Sequence, residues 1–372
     1  MKYKKEVDQW WNRFNAAKGA SQKAEAIRSV CRQNKGKDFY EELEIDEAIF
    51  DDVEPEFLKE NNMPGYCAFL ESLKDYFPDA FGSGASWHIR TLAYWHIFQS
   101  KPKKVKEDVE YLLNSPKDDA DIIGDLLDIL IANGFTEDAW KLLRSYYPFL
   151  KKSGKTIPWG IEELSKLSSF FLIHNHVNLK TGKYMLEPLK EELLRFDYKQ
   201  EDKLLLQHLN IISSKDYCYR SWPLKDFKYT EDNLYILTYE FMRHLLDTKR
   251  ADFVCAHLLQ DCVLDYFLET EQRLDCPNKE IADEYLASWC GMLSLRQTKA
   301  FIILCGLILF YDFLHKRELI SESTYSLAKD GLYDLRRMLS DAFKKGLWKY
   351  KFAEKLLEGI NGEKGLCISH EG

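Results

Sequence analysis

The sequence predicts an all-α protein of stacked helical hairpins, α-solenoid-like or a helical bundle array. Three observations lead there. Glycine and proline number only 18 and 10 in 372 residues, too few breakers for the many turns of a sheet-rich fold. No run of strict apolar alternation stands out, so the period-two signal of half-buried strands is missing. Apolar residues recur instead every three to five positions, most clearly between Ala120 and Tyr147. At 45% hydrophobic residues the chain can bury a large core, and its length suits two subdomains or one extended array. Composition shifts divide it into 1–100, an N-terminal helical region with an acidic segment at 38–60; 101–199, a helical-hairpin region; and 200–372, a C-terminal helical bundle.

The first residues, Met1 to Asp8, are charged and lead into Trp10-Trp11 without the apolar core of a signal peptide, so export by that route is not expected. Lys18, Lys23, Arg28, Arg32, Lys35 and Lys37 then face Glu25 alone, whereas 38–60 holds eleven acids and one base, Lys59. In a chain of net charge −8, two adjacent blocks of opposite sign are expected to screen each other at a solvated surface. The sharper alternative is a docking surface for a basic partner, with Phe39, Tyr40, Ile49, Phe50 and Phe57 as the apolar contact area. Gly82-Ser83-Gly84-Ala85-Ser86 predicts a loop before a helix from Trp87 to Phe98, and Lys101-Pro102-Lys103-Lys104 predicts a connection.

Between Ala120 and Tyr147 the expectation is a helical hairpin. Ile122, Ile123, Leu126, Leu127, Leu130 and Ile131 gather on one side of a helix turning about 100° per residue. Gly134 suits the left-handed C-terminal position, and Thr136 is placed to cap the next helix, with Glu137 and Asp138 against its positive end. Ala139, Leu142, Leu143, Tyr146 and Tyr147 form the second stripe, which Pro148 is expected to end. The string Leu126-Leu127 to Ile131-Ala132-Asn133-Gly134, followed by Ala139 and Leu142-Leu143, resembles the tetratricopeptide and pentatricopeptide repeat families over under a tenth of the chain. That resemblance implies a helical-repeat scaffold. Pentatricopeptide proteins read RNA base by base, a code that one unit cannot implement.

Further on, Leu234, Leu237, Phe241 and Leu245 form one helical stripe, and Phe253, Ala256, Val263, Leu264 and Phe267 another. The apolar run Ala300 to Tyr311 is 12 residues, short of the roughly 20 that span a bilayer, and reads as a central helix buried all round. Ser321 or Ser323 should cap a helix bearing Leu332, Leu335, Met338, Leu339 and Phe343, before a glycine-marked tail at Gly359, Gly362, Gly365 and Gly372 that should fray. Nine cysteines without a Cys-x-x-Cys pair, among them Cys255, Cys262, Cys290 and Cys305, read as buried free thiols and place the protein in the cytoplasm.

No cofactor or metal-ligand set is expected. Asp118, Asp121, Asp125 and Asp128 line one helix face and could hold Mg²⁺ as aspartate-rich helices of diphosphate enzymes do, but the stripe lies opposite the apolar face and reads as solvated. Gly154-Lys155-Thr156 lacks the earlier glycine of a P-loop, where Phe149 stands, and Gly82-Ser83-Gly84 lacks the third glycine of a dinucleotide fingerprint, where Trp87 stands. His174-Asn175-His176 reads as a helix end or a loop. Cys255 and Cys262, seven residues and ~10 Å apart, are too far to ligate one zinc without another element. Glu240 and His244 sit one turn apart and make a pair, not a site.

The functional expectation is an intracellular scaffold that binds a protein or peptide in a groove, with catalytic residues unknown. One alternative is an α-helical enzyme, either an α/α toroid acting on carbohydrate or a metal-dependent diphosphate enzyme. The nine tryptophans could serve a sugar-binding toroid, and a deep pocket with two or more carboxylates and several aromatics would favour this class. The other is nucleic-acid binding through Lys101, Lys103, Lys104, Lys106, Lys151, Lys152 and Lys155, disfavoured by a pI of 5.7.

Overall fold

In the computed structural model the described residues are 2–33, 36–115, 121–153, 158–178, 183–184, 186–197, 231–249, 251–290 and 296–344. They are all-α, as predicted. Among them the extended backbone is one two-residue antiparallel ladder, Val177–Asn178 against Lys183–Tyr184, with Val177 opposite Tyr184. The chain divides into two compact units, one centred on Met1–Asp119 and the other on Ala120–Asp341.

The first unit runs through α1 (Lys4–Ala16), α2 (Gly19–Cys31), α3 (Lys37–Leu43), the single turn α4 (Ile45–Glu47), a π-helical turn (Ala48–Val53), α5 (Glu54–Lys59), α6 (Met63–Tyr76), α7 (Pro78–Gly82), α8 (Ala85–Phe98) and α9 (Pro102–Asn114). Trp10 stacks on Phe14 at 4.7 Å between ring centroids, and both are buried, so the aromatic pair near the N-terminus anchors α1. Asn62 caps α6 by accepting from the Gly65 N–H at 3.0 Å. The expected loop at 82–86 shrinks to Ser83 and Gly84, because Ala85 already opens α8. The expected connection at 101–104 is instead the start of α9: Pro102 takes the first helical position, where its missing N–H costs nothing.

The second unit holds α10 (Asp121–Ala132), α11 (Thr136–Ser153), α12 (Pro158–His176), α13 (Leu186–Arg195), α14 (Glu231–Lys249), α15 (Phe253–Thr270), α16 (Lys279–Cys290), α17 (Gln297–Lys316) and α18 (Glu322–Lys344). The predicted hairpin is α10–α11, turning at Gly134 with φ of +79°. Two details differ. Helix α11 passes through Pro148 to Ser153. Thr136 lies inside the helix with its hydroxyl buried and unpartnered, while the first turn closes from the Ala139 N–H to the Phe135 carbonyl.

Helix α17 is the centre of this unit, packed by α10, α14, α15 and α16. Every residue from Ala300 to Tyr311 is buried or, at Gly306, pressed against Val263 and Leu259 of α15. The helix exceeds the predicted run: Thr298–Lys316 is long and apolar enough to cross a membrane by length and composition, and 89% of it is buried inside the protein. Asp252 caps α15 by accepting from the Val254 and Cys255 N–H groups, and Ser321 caps α18 by accepting from Thr324 N–H at 3.1 Å. The α14 and α15 stripes are buried as expected. On α18 Leu332 and Leu335 are buried but Met338 faces solvent. Cys262 and Cys305 are buried free thiols; Cys255, expected to be free, is disulfide-bonded. The Phe343 side chain, Gly154-Lys155-Thr156 and the glycines from Gly359 lie outside the described residues.

Candidate functional site

One feature of the sequence points at chemistry in the second unit, the aspartate stripe of α10. The structure joins it to Glu163 of α12 and to two bases at the head of α17 that sequence reasoning missed. Asp125 and Asp128 were expected to face water, yet they are 2% and 0% exposed. Arg296, at the N-cap of α17, clasps Asp128 with its Nη2 at 2.7 and 2.9 Å and its Nε at 3.1 Å, and donates from Nη1 to Glu163 of α12 at 2.8 Å. Lys299 reaches the same Glu163 oxygen at 3.4 Å. Asp125 accepts from the Thr298 N–H at 3.0 Å, so a carboxylate of one helix satisfies an orphan donor at the positive end of another. A Cβ on Gly124 would stand 3.3 Å from Arg296 Nε, so the glycine lets the guanidinium lie along α10.

The solvated reading fails because α10 is enclosed: Ile122, Ile123, Leu126, Leu127, Ile129, Leu130 and Ile131 are all fully buried, which leaves its aspartates no watery side. Burial pushes the Asp128 carboxyl up while Arg296 pulls it back; for Glu163 the cations Lys299 and Arg296 outweigh burial and hold it down at about 2. One turn beyond Glu163, Lys166 pairs with Asp261 at 2.9 Å and Asp265 at 2.8 Å on α15. Burial, opposed by Lys166 and reinforced by Asp265, pushes Asp261 up to about 7, and its second oxygen is buried without a partner. The two described aspartates of the stripe are thus answered by a guanidinium and a helix terminus, and the arrangement is a clamp across α10, α12 and α17 rather than a ligand cradle. The side chains of Asp118 and Asp121 lie outside the described residues.

The first unit carries an open cleft of about 510 Å³ between α6, α8 and α9. Glu71, Lys74 and Asp75 lie within about one turn of α6, and Glu107, Asp108 and Tyr111 within about one turn of α9, so each group shares a helix face. His96, 1% exposed, sits at the back. Its Nδ1 is 2.6 Å from Asp108 and its Nε2 3.1 Å from Glu71, while Lys74 reaches the other Asp108 oxygen at 2.6 Å and lies 5.2 Å from the Tyr111 ring centroid. Among the described residues both imidazole nitrogens are held by carboxylates, and neither meets a hydroxyl or thiol. The nearby Cys67 thiol is buried and held well above the ordinary range, first by burial and then by the charges of Glu71, Glu54 and Asp108. An Asp–His pair is present; an activated nucleophile beside it is not, among the described residues.

Sequence reasoning missed His96 because it lies in the apolar α8 helix, with Asp108 twelve residues away beyond a turn. Of the apolar residues proposed as docking area in 38–60, Phe39, Tyr40, Ile49 and Phe57 are core, and Phe50 alone is substantially exposed, at 40%. The opposite charges meet where Lys23 pairs with Asp52 at 2.6 Å, while Glu60 accepts from the Ala20 backbone N–H at 2.8 Å. His174 and His176 end α12, as read. Glu240 and His244 are half-buried on α14, where burial raises the carboxyl and lowers the imidazole. A scan against protein-family models, a search of curated proteins and a search of solved structures each find no match to this chain.

Proposed function

We propose that the protein is a helical scaffold that binds a basic segment of another protein or peptide along the α6–α8–α9 cleft. One observation carries the reading. The cleft is lined by five acids, Glu71, Asp75, Glu107, Asp108 and Glu110, against two bases, Lys74 and Lys104, and its reactive groups, His96, Asp108 and Lys74, are already bonded to one another. Such a surface attracts a cation without activating a substrate. A carbohydrate-cleaving site would add aromatic platforms, and Tyr111 is the one ring of Phe, Tyr or Trp type lining this cleft. The α10–α11 hairpin, with its repeat-like sequence, is taken as a scaffold element of the second unit. The test is fluorescence anisotropy of a labelled lysine–leucine peptide against its glutamate–leucine counterpart. Saturable, salt-sensitive binding of the first alone is expected, and equal binding of both, or of neither, contradicts the proposal.

A further inference from the structure

Beside the cleft, on the other side of Phe81, lies a smaller pocket of about 130 Å³. The Phe81 ring touches both sides, 5.2 Å from Tyr111 and 4.9 Å from His88. One wall is the π-helical turn and its flanks, where Asp46, Phe50 and Glu54 recur at four residues and Glu47 and Asp51 fall beside them. A π turn of this kind is frequent at functional sites. The other wall is α8, with Trp87 4.4 Å from the Phe50 ring, His88 and Thr91.

His88 supplies the independent observation. It is 3% exposed, and its Nδ1 donates to the Phe81 carbonyl at 3.0 Å, since a carbonyl can only accept. Burial depresses the ring to about 4, so it is neutral at pH 7 and Nε2 is a bare acceptor. Among the described residues Nε2 has no partner. It lies on the Gly84 side of the pocket, where a Cβ on Gly84 would stand 3.4 Å from it and 3.1 Å from Asp46 Cβ. Glu54, 7% exposed, accepts from Tyr66 at 2.9 Å; burial pushes its carboxyl up, opposed by Arg90 and Tyr66. Glu47 is raised chiefly by repulsion from Glu44, with Asp46 and Asp51 adding to it.

We infer that this pocket binds a primary ammonium group, the side chain of a lysine presented by the partner peptide. Carboxylates, a bare imidazole nitrogen and the Thr91 hydroxyl can all accept its hydrogen bonds, and Phe50 and Trp87 line the path of its methylene stem. Arg90, stacked on Trp87 at 5.1 Å, acts on Glu54 from outside the pocket and does not line it. An anion is excluded by the four acids. A metal ion is disfavoured because no three His, Cys, Asp or Glu donors converge among the described residues. The volume is below the roughly 300 Å³ where small-molecule sites begin, and suits one side-chain end rather than a sugar.

This inference rests on the peptide reading for the source of the ammonium, so the experiment separates the two. Full-length protein labelled with ¹⁵N-histidine is titrated with n-butylammonium, 1-butanol and tetramethylammonium while the unprotonated nitrogen of His88 is followed. Saturable movement by n-butylammonium, with a dissociation constant on the order of 1 mM, and none by the other two is the expected result. Movement by 1-butanol or tetramethylammonium as large as that by n-butylammonium, or none by any probe, overturns the assignment. Asp51→Asn, at an exposed rim position that leaves the core intact, should weaken n-butylammonium about threefold, and an unchanged constant counts against the site. A lysine–leucine peptide should be displaced by n-butylammonium. Peptide binding insensitive to both n-butylammonium and Asp51→Asn overturns the pocket and leaves the scaffold standing. Binding of n-butylammonium without peptide does the reverse.

Discussion

Removing Asp128 alone should damage the second unit far more than removing Asp128 and Arg296 together. In Asp128→Ala the Arg296 guanidinium loses three hydrogen bonds of 2.7–3.1 Å and keeps Glu163 at 2.8 Å and the Trp289 ring at 6.0 Å, in a site where its side chain is only 7% exposed. Taking one partner from a buried ion pair costs about 3–5 kcal/mol, and the Glu163 contact places the loss towards the lower end of that range. A domain stable by only ~5–15 kcal/mol feels that as a large fraction of its total. For a unit of this size each kcal/mol moves the midpoint by about 2–4 °C, so a fall of roughly 6–20 °C is expected. Asp128→Leu combined with Arg296→Met removes both charges and fills the space, while Glu163 retains Lys299 at 3.4 Å. The double variant should recover most of the loss, because replacing a buried ion pair by packed apolar groups is near neutral. Thermal unfolding followed by circular dichroism compares both variants with the unsubstituted protein. Equal losses in the single and double variants would refute the clamp.

Other expectations concern the core, the cleft and pH. Leu126→Asp buries an unpaired carboxylate on a fully enclosed helix and should cost about 4 kcal/mol or more, seen as insolubility or loss of the thermal transition. His96→Ala leaves Asp108 with Lys74 alone and should cost about 2 kcal/mol by urea midpoint; no change would mean that the buried triad does not hold α8 to α9. Glu163, depressed to about 2 from 4.5, contributes stability that is complete above pH 4.5 and lost as pH falls towards 2; Glu163→Gln should remove that acid-sensitive part of the stability profile. Asp261 has the opposite sign. Raised from 3.8 to about 7, it contributes stability present below pH 3.8 and lost as pH rises through 7, so Asp261→Asn should flatten the profile between pH 4 and 7.

The helices were legible because their signals are local. Gly134 at the α10–α11 turn, Ser321 before α18 and the Ala300–Tyr311 run each act within a few residues, and each behaves as read. The boundaries that moved did so where tertiary packing outweighs local preference. Helix α11 runs through Pro148 with Tyr146, Tyr147 and Leu150 buried on either side of it. The charged clusters were illegible for a different reason. Asp128 and Arg296 are 168 residues apart, and at sequence level an aspartate bound for a guanidinium cannot be distinguished from one bound for water. A usable clue was the apolar density of α10, too high for a helix with a wet face. The His88 pocket had half a clue: the acidic run 38–60 announced charge, but only the π turn and Gly84 bring that charge to an imidazole edge.

Hydrogen–deuterium exchange of the full chain, with and without a saturating lysine–leucine peptide, tests the binding surface most directly. Slowed exchange confined to the π turn, α6, α8 and α9 is the predicted outcome, with α10, α12 and α17 unchanged. Slowed exchange confined to 120–341, or none anywhere at saturation, would contradict the account.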